Sequence, residues 1–271
     1  MTAPPKFETI TLAVDGPLAR ITLNRPERLN AIGAAMMRDL IAVAGYLDGR
    51  IDVRVAILAG AGRAFSAGAD LQDSPLAGAS PRAERPWLER REQGQLGLRM
   101  ADALEGMHAV TIAAVHGYAI GGGLVLAAVC DLRVAAEDAV FSIPEIELGI
   151  PLAWGGIPRL VRELGPALTK ELVMTCRRFT PAEAKAAGFL NRAVPAARLT
   201  AEVEALAAEI LAMPSVPVAI TKEHVNSVAR AMGSGATAFA DGDAALAVAF
   251  DPESLAAAER YLAKTVRRRK A

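Results

Sequence analysis

Three consecutive glycines, Gly121-Gly122-Gly123, separate a short apolar run, Val110-Thr111-Ile112-Ala113-Ala114-Val115, from an apolar run of helical length that ends at Cys130-Asp131. The first run carries β-branched residues and reads as a buried strand. The second is apolar on every side, the mark of a buried helix. Glycines between them let the backbone turn sharply and approach another group closely. The first N–H groups of a helix have no partner within it and point at whatever lies above its N-terminus. Strand, glycine turn and buried helix together make a donor site for developing negative charge. The same pattern also fits a tight βα connection packed on a sheet, and the rest of the chain has to decide.

Two further stretches bear on that choice. In Ala64-Phe65-Ser66-Ala67-Gly68-Ala69-Asp70-Leu71, small side chains follow a strand-like run and leave the main chain open to close approach by a ligand. In Ile143-Pro144-Glu145-Ile146-Glu147, a carboxylate stands among apolar neighbours. Buried there, Glu145 has a raised pKa and suits a general base near neutrality; on an open loop it is a solvated charge. Glu147 reads as a structural or rim charge.

Composition narrows the classes. The chain has 271 residues, of which 52% are hydrophobic and 22% charged, enough for a large core. Lys plus Arg number 30 and so do Asp plus Glu, so no overall charge points to nucleic acid. The one charge run, Arg267-Arg268-Arg269-Lys270, reads as a solvated helix end, with a local role on an anionic ligand as the alternative. Cys130 and Cys176 look like reduced, buried small residues, and His108, His116 and His224 lack ligand spacing, so no metal is expected. No signal-like core or run of membrane length is present, and a cytoplasmic protein without a membrane partner is expected.

The elements that must position these residues follow from periodicity. Phe7–Val14 and Leu18–Leu23 read as strands joined by Asp15-Gly16-Pro17. Ala31–Leu47 has helical spacing, and Val53–Leu58 is a third strand. Residues 72–86 form a long irregular segment, and Trp87–Met107 reads as one helix. Leu132–Ala135 and Ala139–Ser142 are strands, a loop over 150–158 carries Trp154-Gly155-Gly156, and short helices cover 159–165 and 167–175. Thr180-Pro181-Ala182-Glu183 is a helix start with a threonine cap. From Leu199 onward only helices are expected, near 199–213, 215–231, 235–249 and 252–268. The expected layout is an α/β core over 1–198 and a helical region over 199–271.

These stretches together resemble the crotonase, or enoyl-CoA hydratase/isomerase, family over nearly the whole chain. The blocks that carry the resemblance are Leu23-Asn24-Arg25-Pro26 with Leu29-Asn30-Ala31, then Ala64 to Leu71, then Val115 to Gly123 with Cys130-Asp131. The last is Phe141 to Glu145 with Leu148-Gly149 and Gly155-Gly156. The resemblance implies an α/β spiral of repeated ββα units, with a helical C-terminal region that closes the site and assembles homotrimers or dimers of trimers. It implies an acyl-CoA thioester as substrate, no cofactor beyond that coenzyme A, and an oxyanion hole from the N–H groups of Ala69 and Gly122. Coenzyme A contacts are expected at Arg28, Ala67, Gly68, Asp70, Leu71 and Lys264.

One departure bears on the reaction. Hydratases of this family hold water between two glutamates. The first falls here on Val125, which cannot exchange a proton; the second falls on Glu145. A single base suffices to move a proton from C2 to C4 of a 3-enoyl thioester, so isomerisation is the leading expectation. A hydratase or another lyase or hydrolase of the family is the alternative, with a second acid from Asp73 or Glu84. The third reading is an acyl-CoA binder without catalysis. The aspartate of dienoyl isomerases falls on Ala153, which disfavours that branch.

Overall fold

A computed structural model describes residues 4–71, 86–232 and 238–270 of the chain. Asp73 and Glu84 lie outside the described residues, as do the side chains of the basic tail from 265 onward. The organising element is a six-stranded sheet. Its strands are β1 (Ile10–Asp15), β2 (Leu18–Leu23), β3 (Val55–Gly60), β4 (Val110–Val115), β6 (Leu132–Ala136) and β8 (Arg192–Val194), in that spatial order. Only β1 is antiparallel to its neighbour, with Asp15 opposite Leu18 across the Gly16-Pro17 turn. The other pairs are parallel, so both sheet faces must be covered. The near-continuous apolar run of β4, every residue of it buried, is the sequence mark of such a strand.

One face packs on α1 (Ala34–Asp48), α3 (Leu96–Glu105) and α4 (Gly122–Ala128), whose buried residues include Leu40, Met100 and Leu124. The other packs on α8 (Leu199–Leu211), through Leu199, Val203, Leu206 and Ala207 against Val55, Ile57, Ile112 and Val134. The boundary expected at 198/199 therefore falls between the sheet and the helix that covers its second face.

A second, smaller layer runs beside the first. β5 (Tyr118–Ile120) and β7 (Val140–Ser142) pair in parallel, and single bridges join Ser66 to Ala119, Ile32 to Ala69, and Phe141 to Phe179. Successive ββα turns each place one strand in the large sheet and one short segment in the small layer, which is the spiral the resemblance implies. β5 and β8 are absent from the sequence reading. Each has three residues, too few to show a period, and each forms only because a distant segment pairs with it.

The helix expected over Trp87–Met107 is two helices, α2 (Trp87–Gly94) and α3. Gly94 meets Gly242 of α10 (Asp241–Ala247) so closely that a Cβ on Gly242 would lie 3.0 Å from the Gly94 carbonyl carbon. Gln95 Nε2 donates to the Phe239 carbonyl at 2.7 Å, fixing the break. The remaining helices are α5 (Gly156–Leu164), α6 (Pro166–Thr175), α7 (Pro181–Ala186), α9 (Ser215–Met232) and α11 (Pro252–Lys270). Thr180 caps α7, its Oγ1 accepting from the Glu183 N–H at 3.2 Å. The helix expected over 235–249 is shorter: α10 is followed by one 3-10 turn over Val248–Phe250. Cys130 is buried, but Cys176 is only half-buried, because it ends α6 in a left-handed turn at the surface. Among the described residues no single helix is long and apolar enough to cross a membrane.

Candidate active site

The site is built by two turns that touch backbone to backbone. Phe65 N–H donates to the His116 carbonyl at 2.9 Å and Ser66 N–H to the Tyr118 carbonyl at 2.9 Å; Ile120 N–H returns to the Ser66 carbonyl at 3.1 Å. These bonds lay the Ala64–Leu71 stretch along β5. Gly68, with φ +87°, has no room for a side chain, since a Cβ there would sit 2.5 Å from the Ile120 carbonyl oxygen. Gly123 is equally constrained, with the Ser66 carbonyl oxygen 2.6 Å from where its Cβ would lie. Small residues are therefore required by contact between the two main chains.

Asn30 ties the turns together from within. It is fully buried and left-handed, at φ 54°. Its Nδ2 donates to the carbonyls of Ala61 at 2.9 Å and Ala64 at 2.8 Å, its Oδ1 accepts from Arg25 N–H at 2.9 Å, and its carbonyl accepts from Ser66 Oγ at 2.8 Å. Every hydrogen-bonding group of this side chain is used, so a buried amide here costs little and fixes the loop.

The two expected oxyanion donors then come to line one cavity of about 320 Å³. Ile32 N–H donates to the Gly68 carbonyl at 2.8 Å and the Ile32 carbonyl accepts from Asp70 N–H at 3.0 Å, so the ladder passes over Ala69. Ala69 N–H makes no hydrogen bond among the described residues. Gly122 N–H, at the start of α4, has no backbone partner and faces the Glu145 carboxylate.

Glu145 lines the same cavity. Its carbonyl accepts from Leu148 and Ile150 N–H groups, both at 3.0 Å, which fixes its backbone. Gly121 N–H donates to the Ser142 carbonyl at 2.8 Å, and with φ +51° Gly121 turns its Cα toward the carboxylate. A Cβ at that position would collide with Glu145 Oε1. The residue is only 8% exposed, and its Oε2 is buried without a hydrogen-bond partner among the described residues. Burial pushes its carboxyl up to about 7, while its own N–H and that of Gly122 pull the other way. Its sequence neighbours contribute unequally: Ile143 is fully buried, whereas Ile146 is 47% exposed.

Val125 is buried in α4, one turn below Gly122, and packs on the Gly156 turn, where a Cβ would lie 2.8 Å from Val125 Cγ2. Ala153 lines the cavity, so a methyl group stands at the position that differs in dienoyl isomerases. Asp70 is the other carboxylate on the cavity wall among the described residues, and it is held by Arg25 at 2.9 Å and Arg28 at 3.4 Å. Ala67 and Leu71 are half-buried beside it, and Ala67 N–H donates to the Leu29 carbonyl at 2.8 Å. Arg28, Ala67, Gly68, Asp70 and Leu71 are thus grouped on one side. Lys264 is exposed on α11 and makes no ion pair or hydrogen bond with them. No group of three or more side chains suited to a metal occurs among the described residues.

Trp154 and Arg159 gave no functional signal in the sequence. The Trp154 backbone is left-handed, at φ 61°, and its indole is wedged between Gly97 of α3 and Gly122; a Cβ on either glycine would collide with the ring. Arg159, 1% exposed, donates through Nη1 to the Trp154 and Gly155 carbonyls at 3.4 and 3.2 Å. Its Nη2 pairs with Asp102 at 2.8 Å and Glu105 at 2.7 Å. Gly155 N–H donates to Asp241 Oδ2 at 2.8 Å, tying the same turn to α10. The only sequence signal was the pair of glycines after Trp154.

Comparison with known proteins gives the family. The family model described as Enoyl-CoA hydratase/isomerase matches residues 14–249. A short-chain-enoyl-CoA hydratase of Clostridium acetobutylicum is 33% identical over 222 residues, covering 82% of each chain. A crotonyl-CoA hydratase of Syntrophomonas wolfei is 34% identical over 239 residues, covering 86% of this chain and 89% of that one. The crystal structure of an enoyl-CoA hydratase from Mycobacterium avium subsp. paratuberculosis shares the fold, with a TM-score of 0.83 at 23% identity over 96% of this chain and 97% of that one. The chain belongs to the enoyl-CoA hydratase/isomerase family.

Proposed function

We propose that this member of the enoyl-CoA hydratase/isomerase family moves the double bond of a 3-enoyl-CoA to the 2-position. The observation that carries the reading is Glu145, the one carboxylate on the cavity wall, among the described residues, that no cation holds, while position 125, where the resemblance sets the first glutamate, is a buried valine. Glu145 takes a proton from C2, and the electrons move onto the thioester oxygen. The N–H groups of Ala69 and Gly122 donate to that oxygen. The same carboxyl group then returns its proton at C4, and the C2–C3 double bond forms. Donors fixed in a dry site cost no reorganisation as charge develops, and losing one costs about 3–4 kcal/mol elsewhere. Arg28, Ala67, Gly68, Asp70 and Leu71 are assigned to the coenzyme A moiety, with Lys264 as an outlying contact. No further cofactor takes part, and the enzyme assembles as a homotrimer or dimer of trimers in the cytoplasm.

A second reading, hydration of a 2-enoyl-CoA, is favoured by the names of the relatives. It needs a second acid, because Val125 supplies none. Product analysis with 2-enoyl- and 3-enoyl-CoA side by side separates the two. Isomerisation faster than hydration is expected; crotonyl-CoA hydration outpacing isomerisation overturns the first reading in favour of the second. A Glu145→Gln protein that retains full turnover excludes both.

A further inference from the structure

The wall of the cavity holds a cation that the reaction above does not use. Arg90 of α2 lines the same space as Ala69, Gly122 and Glu145. Its neighbours along the chain are paired, Arg91 with Asp243 at 2.8 Å and Arg99 with Glu92 at 2.5 Å. Arg90 has no side-chain hydrogen bond or ion pair among the described residues, and its Nε is buried without a partner. A guanidinium stays charged at any physiological pH, and an unpaired one in a partly buried wall is costly. The helix that carries it is fixed one turn further on by the Gly94–Gly242 contact, which sets where the Arg90 backbone lies. Arg38 of α1 lines the cavity as a second, exposed guanidinium, and Gln93 adds an amide. Met37, Leu96, Leu152 and Leu246 make much of the remaining wall apolar.

We propose that Arg90 binds a carboxylate at the far end of the acyl chain, making the preferred substrates thioesters of dicarboxylic acids. This rests on the reading of the cavity as the acyl-thioester site. An apolar wall with a guanidinium set in it suits a chain that is hydrocarbon in the middle and anionic at its end. Arginine and carboxylate match in planar, bidentate geometry, so the chain end is both neutralised and positioned. The phosphates of coenzyme A are the other anions within the same ligand. A space of about 320 Å³ that contains the reaction centre suits the acyl end rather than the nucleotide.

Calorimetric titration of the full chain with glutaryl-CoA and pentanoyl-CoA tests this. The two are saturated, of equal chain length, and differ in the terminal carboxylate alone. The expected result is that glutaryl-CoA binds about tenfold tighter or more. That ratio falls to about one in Arg90→Met and is partly kept in Arg90→Lys. A ratio near one in the unmodified protein overturns the proposal, and needs no variant to fold. A ratio unaffected by Arg90→Met also overturns it. If Arg90 holds coenzyme A phosphates instead, Arg90→Met weakens both ligands alike and leaves the ratio intact, which again overturns it. Binding of neither thioester overturns this proposal together with the acyl-CoA reading. A preference for glutaryl-CoA without any isomerisation supports this proposal while refuting only the reaction assigned above.

Discussion

Glu145 Oε1 occupies the space that a side chain on Gly121 would need. The carboxylate therefore reaches the glycine turn only because position 121 has no Cβ, and the positive φ of 51° adds a second reason for glycine there. Gly121→Ala is expected to push the carboxylate away and strain the turn. Turnover should fall at least about 100-fold, and unfolding titrations should show a loss of about 1–3 kcal/mol. A variant with ordinary turnover would refute the contact.

The charge on Glu145 should link activity to stability with opposite signs. Burial raises the folded-state pKa to about 7, above the ordinary carboxylate range, so the folded protein holds this proton more tightly than the unfolded chain. The stabilisation from holding the proton is complete below the unfolded value and is lost as pH rises through about 7. Glu145→Gln should thus raise the melting temperature at pH ~8 and hardly change it at pH ~4, the alkaline gain being on the order of 3 kcal/mol. In the unmodified enzyme kcat/KM should rise with pH along a limb centred near 7.

Trp154 fills the gap between Gly97 and Gly122. Truncation to alanine leaves a void beside Gly122, whose N–H is the proposed oxyanion donor. The cost expected for a largely enclosed tryptophan is about 3 kcal/mol. A fall of about tenfold in kcat/KM should accompany it as the Gly122 amide loses its backing. Chemical denaturation and steady-state kinetics on one preparation check both.

Arg159 is a buried cation shared by Asp102, Glu105 and two carbonyls. Removing one partner of such a network leaves charge uncompensated. Arg159→Met should therefore destabilise by about 3–5 kcal/mol. Glu105, whose carboxyl burial raises but Arg159 and Arg162 hold below its ordinary range, should titrate higher in the variant. A variant as stable as the parent would contradict this account.

Among the described residues, α9 buries the side chain of Lys222, which anchors it to Asp131 at 2.7 Å, but exposes Val216, Ile220, Val225, Val228 and Met232. An apolar helix face of this kind needs a cover. The expected cover is a second copy of the chain. Ile220→Asp with Val228→Asp should shift the protein to monomer in light scattering, and a parent that is already monomeric would refute the assembly.

The amino-acid sequence by itself determined the α/β core and the glycine turn that leads into its buried helix. The largely apolar β4, the three glycines and the all-apolar α4 are local patterns, and each depends on a residue's own conformational range and hydropathy. The same holds for the Thr180 cap, where donor and acceptor lie three residues apart. What the sequence could not supply was anything set by distant pairing. The single helix expected over Trp87–Met107 breaks because Gly94 meets Gly242 from nearly the other end of the chain. β5 and β8 exist only through their partners. Glu145 owes its raised pKa less to Ile146, which is exposed, than to burial among segments brought together by the fold. Trp154, Arg159 and Arg90 carry no local signature, since a wedge, a buried ion network and an unpaired guanidinium are properties of what surrounds a side chain. Desolvation and contact are sums over neighbours in space, and only the tertiary structure decides which neighbours those are.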